Sequence, residues 1–155
     1  MPTKVQAITF EVEDQLYGIE TCLLQEIIPI LKIKPIAKGP AFMVGVINLR
    51  GKVIPIVDLR KLLGAQSGRY TFDTRIVVGC IGPRTVGFIV DGIREVREFM
   101  KDQISSPVID APGTQLIENV VTLDSGEMIQ LIALNHVMDK EELEQLALAQ
   151  GDTQS

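Results

Sequence analysis

The chain has 155 residues, a formal net charge of −5 and 46% hydrophobic residues. Its charge is the wrong sign for a protein that gains affinity by neutralising nucleic-acid phosphates, and two cysteines are too few for a disulfide framework or a cysteine-rich zinc site. No secretory leader pattern opens the sequence and no apolar stretch approaches the roughly 20 residues of a membrane-spanning helix, so we expect a cytoplasmic protein that binds no nucleic acid and inserts into no membrane.

Short apolar runs separated by turn residues predict ten β-strands. Because Trp is absent and aromatic residues make up only 5% of the chain, the interior must be built from Val, Ile and Leu, a composition that favours strands. In chain order the predicted strands are 5–12, 17–20, 26–33, 43–49, 52–57, 75–81, 85–90, 93–97, 117–123 and 128–134. Ten short strands are typical of barrels or sandwiches.

Two short helices are predicted in addition. Asp58 is placed to cap a helical turn over 59–63, and Gly64 to close it. The polar segment 65–69 is then predicted to form a boundary between two modules. At the other end of the chain, Asp139 and Glu142 have the spacing of a capping box, which predicts a helix over 139–150.

The two halves of the chain are related by a weak internal repeat. Gly18, Glu26 and Ile27 align with Gly87, Glu95 and Val96 at one constant offset, and Gly51, Ile54, Ile56 and Leu59 align with Gly126, Ile129, Leu131 and Leu134 at a second. The repeat predicts two five-stranded modules, approximately 5–64 and 75–134. Each is small enough to be an SH3-like or an OB-like barrel.

Residues that would carry catalysis are scarce. The single histidine, His136, lies beside the predicted terminal helix, and Cys22 and Cys80 sit in apolar runs where buried free thiols are expected. No metal-ligand spacing occurs among the aspartates. We therefore expect a binding protein with no catalytic residue, cofactor or metal; a small-molecule or nucleic-acid-binding barrel that uses His136 is the rival interpretation.

Residues 45–64 read GVINLRGKVIPIVDLRKLLG, which is a strand, an Arg-Gly turn, a second strand and a capped helical turn. This segment resembles the signature of the CheW-like family of chemotaxis coupling proteins. The resemblance extends to LYGI at 16–19, LQEI at 24–27, PAF at 40–42 and VGFIVDGI at 86–93. It implies an all-β fold of two intertwined five-stranded SH3-like β-barrels with a short C-terminal helix.

The same resemblance implies an adaptor function. Family members bridge the regulatory domain of the chemotaxis histidine kinase CheA to the cytoplasmic tips of methyl-accepting chemoreceptors, and a groove between the barrels accepts the receptor's helical tip. By motif position, the receptor-facing residues implied here are Leu24, Glu26, Gly45, Arg50, Gly87 and Val96. No motif marks the kinase-facing surface, and a kinase array that controls pili or gene expression is an equally compatible setting.

Each of these residues also has a structural interpretation. Without the resemblance, Arg50 would be interpreted as a solvated arginine in a turn. Gly45 and Gly87 would be interpreted as positions of close backbone approach within strands. Leu24 and Val96 would by default be core residues. Glu26 aligns with Glu95 in the repeat, so a shared structural role competes with partner recognition.

Overall fold

A computed structural model describes residues 4–36, 43–65, 69–105 and 117–134. Within them the chain forms eleven strands, one short α-helix and two short 3-10 turns. The strands are β1 (Lys4–Val12), β2 (Gln15–Glu20), β3 (Leu24–Pro29), β4 (Met43–Leu49), β5 (Lys52–Asp58), β6 (Arg75–Ile81), β7 (Arg84–Val90), β8 (Ile93–Met100), β9 (Ile104–Ser105), β10 (Ile117–Thr122) and β11 (Met128–Ile132). Helix α1 is Leu59–Leu62, and the all-β fold class is confirmed.

One predicted strand has different bounds in the structure, and one short strand was not predicted. The third strand, predicted over 26–33, begins at Leu24 and ends at Pro29, because a proline has no N–H to continue the ladder and the chain bends away. Strand β9 has only two residues, too few to show an alternating pattern. The predicted helix over 139–150 and His136 lie outside the described residues.

The eleven strands form two sheets that each take strands from both halves of the chain. One sheet has the order β8-β1-β2-β11-β10-β9, and the other has the order β3-β6-β7-β5-β4. The two orders correspond strand for strand under the internal repeat: Leu131 pairs with Gly18 in one sheet as Ile56 pairs with Gly87 in the other. The ranges 5–64 and 75–134 remain a prediction as domain limits, because neither sheet is confined to one of them.

Both sheets close towards barrels in the same manner. Beyond β3 the chain turns and Lys34 exchanges backbone hydrogen bonds of 2.8 and 2.9 Å with Val46 of β4, at the far edge of the five-stranded sheet. At the equivalent place in the other sheet, Ser105 of β9 pairs with Val120 of β10. Strand β9 pairs with β10 through two residues and so forms a sixth strand, whereas Lys34 makes a single bridge. This closure is consistent with the SH3-like description.

The two sheets share a core. The central apolar cluster joins Phe10 and Ile19 of one sheet to Val77 and Phe88 of the other, all fully buried. Two further clusters fill the separate barrels, one around Ile129 and Leu131 and one around Ile56 and Ile76. Because the largest cluster is made by both sheets, the barrels form one packed unit.

Candidate functional site

The Arg50-Gly51 turn joins β4 to β5 as a two-residue hairpin loop. Leu49 pairs with Lys52 across it, and both turn residues have positive φ, 52° at Arg50 and 85° at Gly51, as a type I′ turn requires. The side chain of Asn48 accepts the Gly51 N–H at 2.9 Å and fixes the loop. Arg50 has this conformation although it is not a glycine, and positive φ costs a non-glycine residue about 1 kcal/mol.

The Arg50 guanidinium is held by Glu26, which is also one of the receptor-facing candidates. Its Nη2 atom donates to both carboxylate oxygens of Glu26, at 2.8 and 3.0 Å. Glu26 lies on β3 and Arg50 follows β4, which are opposite edges of the five-stranded sheet. The side chain of Arg50 is still 70% exposed, so the pair contributes little to folding and mainly sets the direction of an accessible guanidinium.

Strand β3 presents two different faces. Leu24, Glu26 and Ile28 are half-buried, and the residues between them are exposed. Leu24 packs against the central core, so its structural interpretation holds in part. A register shift between Leu24 and Glu26 in the pairing of β3 with β6 turns Leu24 to the opposite face of the sheet from Glu26, whose face carries Ile28 and the cluster of the first barrel.

Gly45 and Gly87 are both buried positions of close approach. A Cβ at Gly45 would lie 2.2 Å from the carbonyl oxygen of Lys34, where the returning chain closes the barrel. A Cβ at Gly87 would lie 2.6 Å from Ile56 Cδ1 and 2.9 Å from Ile76 Cγ2. The close-approach interpretation is therefore confirmed for both glycines, and direct contact with a receptor stays a prediction.

Val96 lies apart from the other candidates on β8, the edge strand of the six-stranded sheet. Its side chain is 54% exposed, so the default expectation of a core residue is wrong. Its repeat equivalent, Ile27 on edge strand β3, is also exposed, at 42%. Ile27 was not among the predicted site residues. Its alignment with Val96 in the internal repeat could have identified it as a further candidate.

The repeat does not reproduce the Arg50–Glu26 pair in the second sheet. Glu95, the equivalent of Glu26, accepts a hydrogen bond of 3.1 Å from Arg97 on its own strand. The hairpin between β10 and β11 carries Ser125 at the position of Arg50. The orienting ion pair is therefore a property of the first hairpin.

A buried ionic cluster next to α1 was missed by sequence analysis. Arg60 is 5% exposed, and its Nε and Nη2 atoms donate to the two carboxylate oxygens of Asp58 at 2.9 Å each. Its Nη1 atom donates to Asp91 at 2.8 Å, and Tyr70 stacks against the guanidinium. The hydrogen bonds that Arg60 donates to Asp58, and then the one that it donates to Asp91, raise the pKa of Arg60, against the opposing effect of burial.

Asp58 was correctly identified as a helix cap, since it accepts the backbone N–H of Arg60 at 3.0 Å. Its second role, as a partner of the buried Arg60, could not be predicted from the local sequence. The cluster that buries Arg60 also needs Asp91, which directly follows β7 and is distant in sequence. The cluster holds α1 against the end of β7. We interpret it as a structural element that supports the neighbouring hairpin.

The described residues contain no group of three or more His, Cys, Asp or Glu side chains that could hold a metal ion. Cys22 is exposed, so the expectation of a buried thiol is wrong there; Cys80 is half-buried, with Gln25 Nε2 at 2.9 Å from its sulfur. Across this described part of the chain, no helix has the length and apolar character to cross a bilayer.

Comparison with known proteins gives one consistent result. The model of the CheW-like domain matches residues 6–142. The chemotaxis protein CheW of Klebsiella aerogenes is 33% identical over 138 residues, which is 88% of this chain and 82% of that protein. The protein FrzA of Myxococcus xanthus is 27% identical over 131 residues, covering 83% of this chain and 82% of FrzA.

A solved structure is similar over almost the whole chain. The crystal structure of the scaffolding protein CheW from Thermoanaerobacter tengcongensis has a TM-score of 0.80 and 31% sequence identity to this chain. The similarity covers 90% of this chain and 94% of that one.

Proposed function

This chain belongs to the CheW-like domain family of chemotaxis scaffold proteins, and from that premise we propose that it couples a CheA-type histidine kinase to the cytoplasmic tips of chemoreceptors. It does so by binding, without turning over a substrate. The complex forms in the cytoplasm, at membrane-associated receptor arrays. Individual contacts in such an array can be weak, because many linked contacts multiply the overall avidity.

The observation that carries this proposal is the oriented, accessible guanidinium of Arg50. Its Nη2 atom is committed to Glu26, but most of the side chain faces solvent. An arginine that is already oriented loses little conformational freedom on binding, and its planar fork matches the carboxylates and backbone carbonyls of a helical tip. Arg50 is thus suited to anchor a receptor without further rearrangement.

Exposed apolar side chains on two edge strands support the same proposal. Ile27 on β3 and Val96 on β8 each expose about half of their surface. Ile27 lies on the same edge strand as Glu26, the partner of Arg50, whereas Val96 lies on the edge of the other sheet. We propose that Leu24, Glu26, Gly45, Arg50, Gly87 and Val96 form or support the receptor-facing surface; Gly45 and Gly87 act through the backbone positions that they allow.

Direct binding measurements test this function. The full chain is titrated by calorimetry with a soluble receptor-tip fragment and, separately, with the regulatory domain of the kinase. We expect saturable micromolar binding to each fragment and a ternary complex when both are present. A folded sample that binds neither fragment at high micromolar concentration would overturn the proposal.

The similarity to FrzA supports a second setting for the same coupling function. In that setting the array controls an output other than flagellar rotation, such as pilus motility or gene expression. Titration with regulatory domains from the different kinases of the source organism separates the settings, because the cognate domain should bind most tightly.

A further inference from the structure

Strand β8 is the longest open edge among the described strands. It has eight residues, and in the described part of the chain it pairs only with β1. The other sheet edges are shorter or covered: β9 has two residues, β4 is bridged by Lys34, and β3 ends at Pro29, which cannot donate to a further strand. An open edge of this length presents backbone groups that another extended strand can bind.

The backbone of Val96 is directed towards this open edge. The carbonyl oxygen of Glu95 faces β1, where it accepts the Thr9 hydroxyl at 3.0 Å. Consecutive residues of an antiparallel strand direct their backbone groups to opposite sides, so the N–H and the carbonyl of Val96 point away from β1. Val96 is also 54% exposed. The middle of the β8 edge is therefore accessible to a second strand.

The charged residues of β8 are arranged in complementary order on the two sides of Val96. Arg94 and Glu95 precede it, and Arg97 and Glu98 follow it. If two β8 strands pair antiparallel about a two-fold axis at Val96, each Glu95 lies opposite Arg97 of the other copy. In the same register each Arg94 lies opposite Glu98. Opposite charges directly across from each other stabilise a strand pair and like charges destabilise it, so this order favours a second copy of β8 as the partner strand.

The inner charges, Glu95 and Arg97, can make these contacts and keep the one they already have. Arg97 Nη1 donates to Glu95 of its own strand at 3.1 Å, and the two side chains are 34% and 62% exposed. Because a guanidinium has five N–H donors and a carboxylate accepts several hydrogen bonds, each Arg97 can bridge the Glu95 side chains of both copies. The outer charges contribute less, since Arg94 and Glu98 also contact side chains of β1 and β8 bulges at residues 94–95.

We propose that two copies of this chain associate along β8, as an antiparallel pair of edge strands centred on Val96. The pairing joins two six-stranded sheets by reciprocal backbone hydrogen bonds at Val96 and reciprocal contacts between Glu95 and Arg97. Because the contact is short, it forms at high protein concentration and dissociates on dilution. The pairing also covers Val96, so a paired chain cannot present that residue to a receptor; this consequence rests on the proposed function, and the association itself does not.

Charge reversal on β8 tests the pairing, with sedimentation of the full chain from micromolar to millimolar concentration as the measurement. We expect the mass of the parent chain to rise with concentration towards that of a dimer. Glu95→Arg and Arg97→Glu should each weaken the association by about tenfold or more, because both place like charges opposite each other. An equal mixture of the two variants should associate again, since an edge with two arginines then faces an edge with two glutamates.

Glu127→Arg is the matched control, because it makes the same charge change at an exposed residue of the β10–β11 hairpin and should leave the association unchanged. Thermal unfolding of each variant checks that the fold is retained. A parent chain that stays monomeric at millimolar concentration contradicts the proposal. A dimer that Glu127→Arg weakens as much as Glu95→Arg does, or a mixture of the two β8 variants that associates no better than either alone, also contradicts it.

Discussion

Arg50 and Glu26 are 24 residues apart in sequence, and their side chains join the two outer strands of one sheet through contacts of 2.8 and 3.0 Å. The pair places a guanidinium at the tip of a rigid hairpin, where it is both oriented and accessible. Arg50 also has a positive φ, which glycine adopts without strain and alanine does not. Substitution by glycine and by alanine therefore separates its contribution to folding from its contribution to binding.

Arg50→Ala should reduce receptor affinity by about 2 kcal/mol, roughly 30-fold, because an oriented arginine anchor is lost. The free energy of unfolding should change by less than about 1 kcal/mol, since the Arg50 side chain is 70% exposed. Calorimetric titration and chemical denaturation give the two values. Lys4→Ala is the matched control, because Lys4 is also exposed and lies 3.9 Å from a glutamate, Glu98; an equal loss of affinity in both variants would remove Arg50 from the interface.

Arg50→Gly should be more stable than Arg50→Ala by about 1 kcal/mol, because glycine adopts positive φ without strain. Both variants lack the guanidinium and should bind the receptor fragment equally poorly. Comparing their denaturation midpoints and their affinities separates strain from recognition. Equal stabilities would show that the turn relaxes in the alanine variant.

Gly45→Ala should destabilise the protein by about 3 kcal/mol or more, because its methyl group would be placed 2.2 Å from the carbonyl oxygen of Lys34 and the backbone there has to shift. Gly51→Ala is the comparison: nothing lies within 4 Å of its Cβ, so only the positive φ is penalised, by about 1 kcal/mol. Urea denaturation measures both. A smaller loss for Gly45→Ala than for Gly51→Ala would mean that the returning chain does not close the barrel at Lys34.

Arg60→Ala should cost about 3 to 5 kcal/mol of unfolding free energy, because it leaves the buried carboxylate of Asp58 without its partner. Arg97→Ala removes a more exposed arginine that pairs with Glu95 and should cost less than about 1 kcal/mol. Thermal or urea unfolding distinguishes the two. Similar losses would show that water reaches Asp58 and compensates its charge.

Tyrosine ionisation should weaken the fold in alkaline solution. Burial, followed by the nearby charge of Glu13, raises the pKa of Tyr17 above its ordinary value of 10.0. The unfolded chain therefore releases this proton first, so the contribution of Tyr17 to stability is complete below about pH 10 and is lost as the pH rises through the folded-state pKa. Unfolding free energies measured across this range should fall less steeply for Tyr17→Phe; an unchanged slope would contradict the assignment.

Local sequence patterns determined the positions of most strands, the Arg50-Gly51 turn and the cap at Asp58. Alternation of apolar residues and the preference of glycine for positive φ act within a few residues, so they can be read without a structure. The repeat between Gly18 and Gly87 was also visible, and it identified equivalent strands in the two halves. The family followed from the segment 45–64.

Only the tertiary structure decided which strands pair, and therefore which side chains meet. A period-two pattern marks the buried face of a strand but does not specify its neighbour, so nothing in β1 indicates that it pairs with β8 from the other half of the chain. Closure of the sheet then brings Glu26 to Arg50, and the end of β7 brings Asp91 to Arg60. These contacts depend on the path of the backbone between distant residues, which local propensities do not determine.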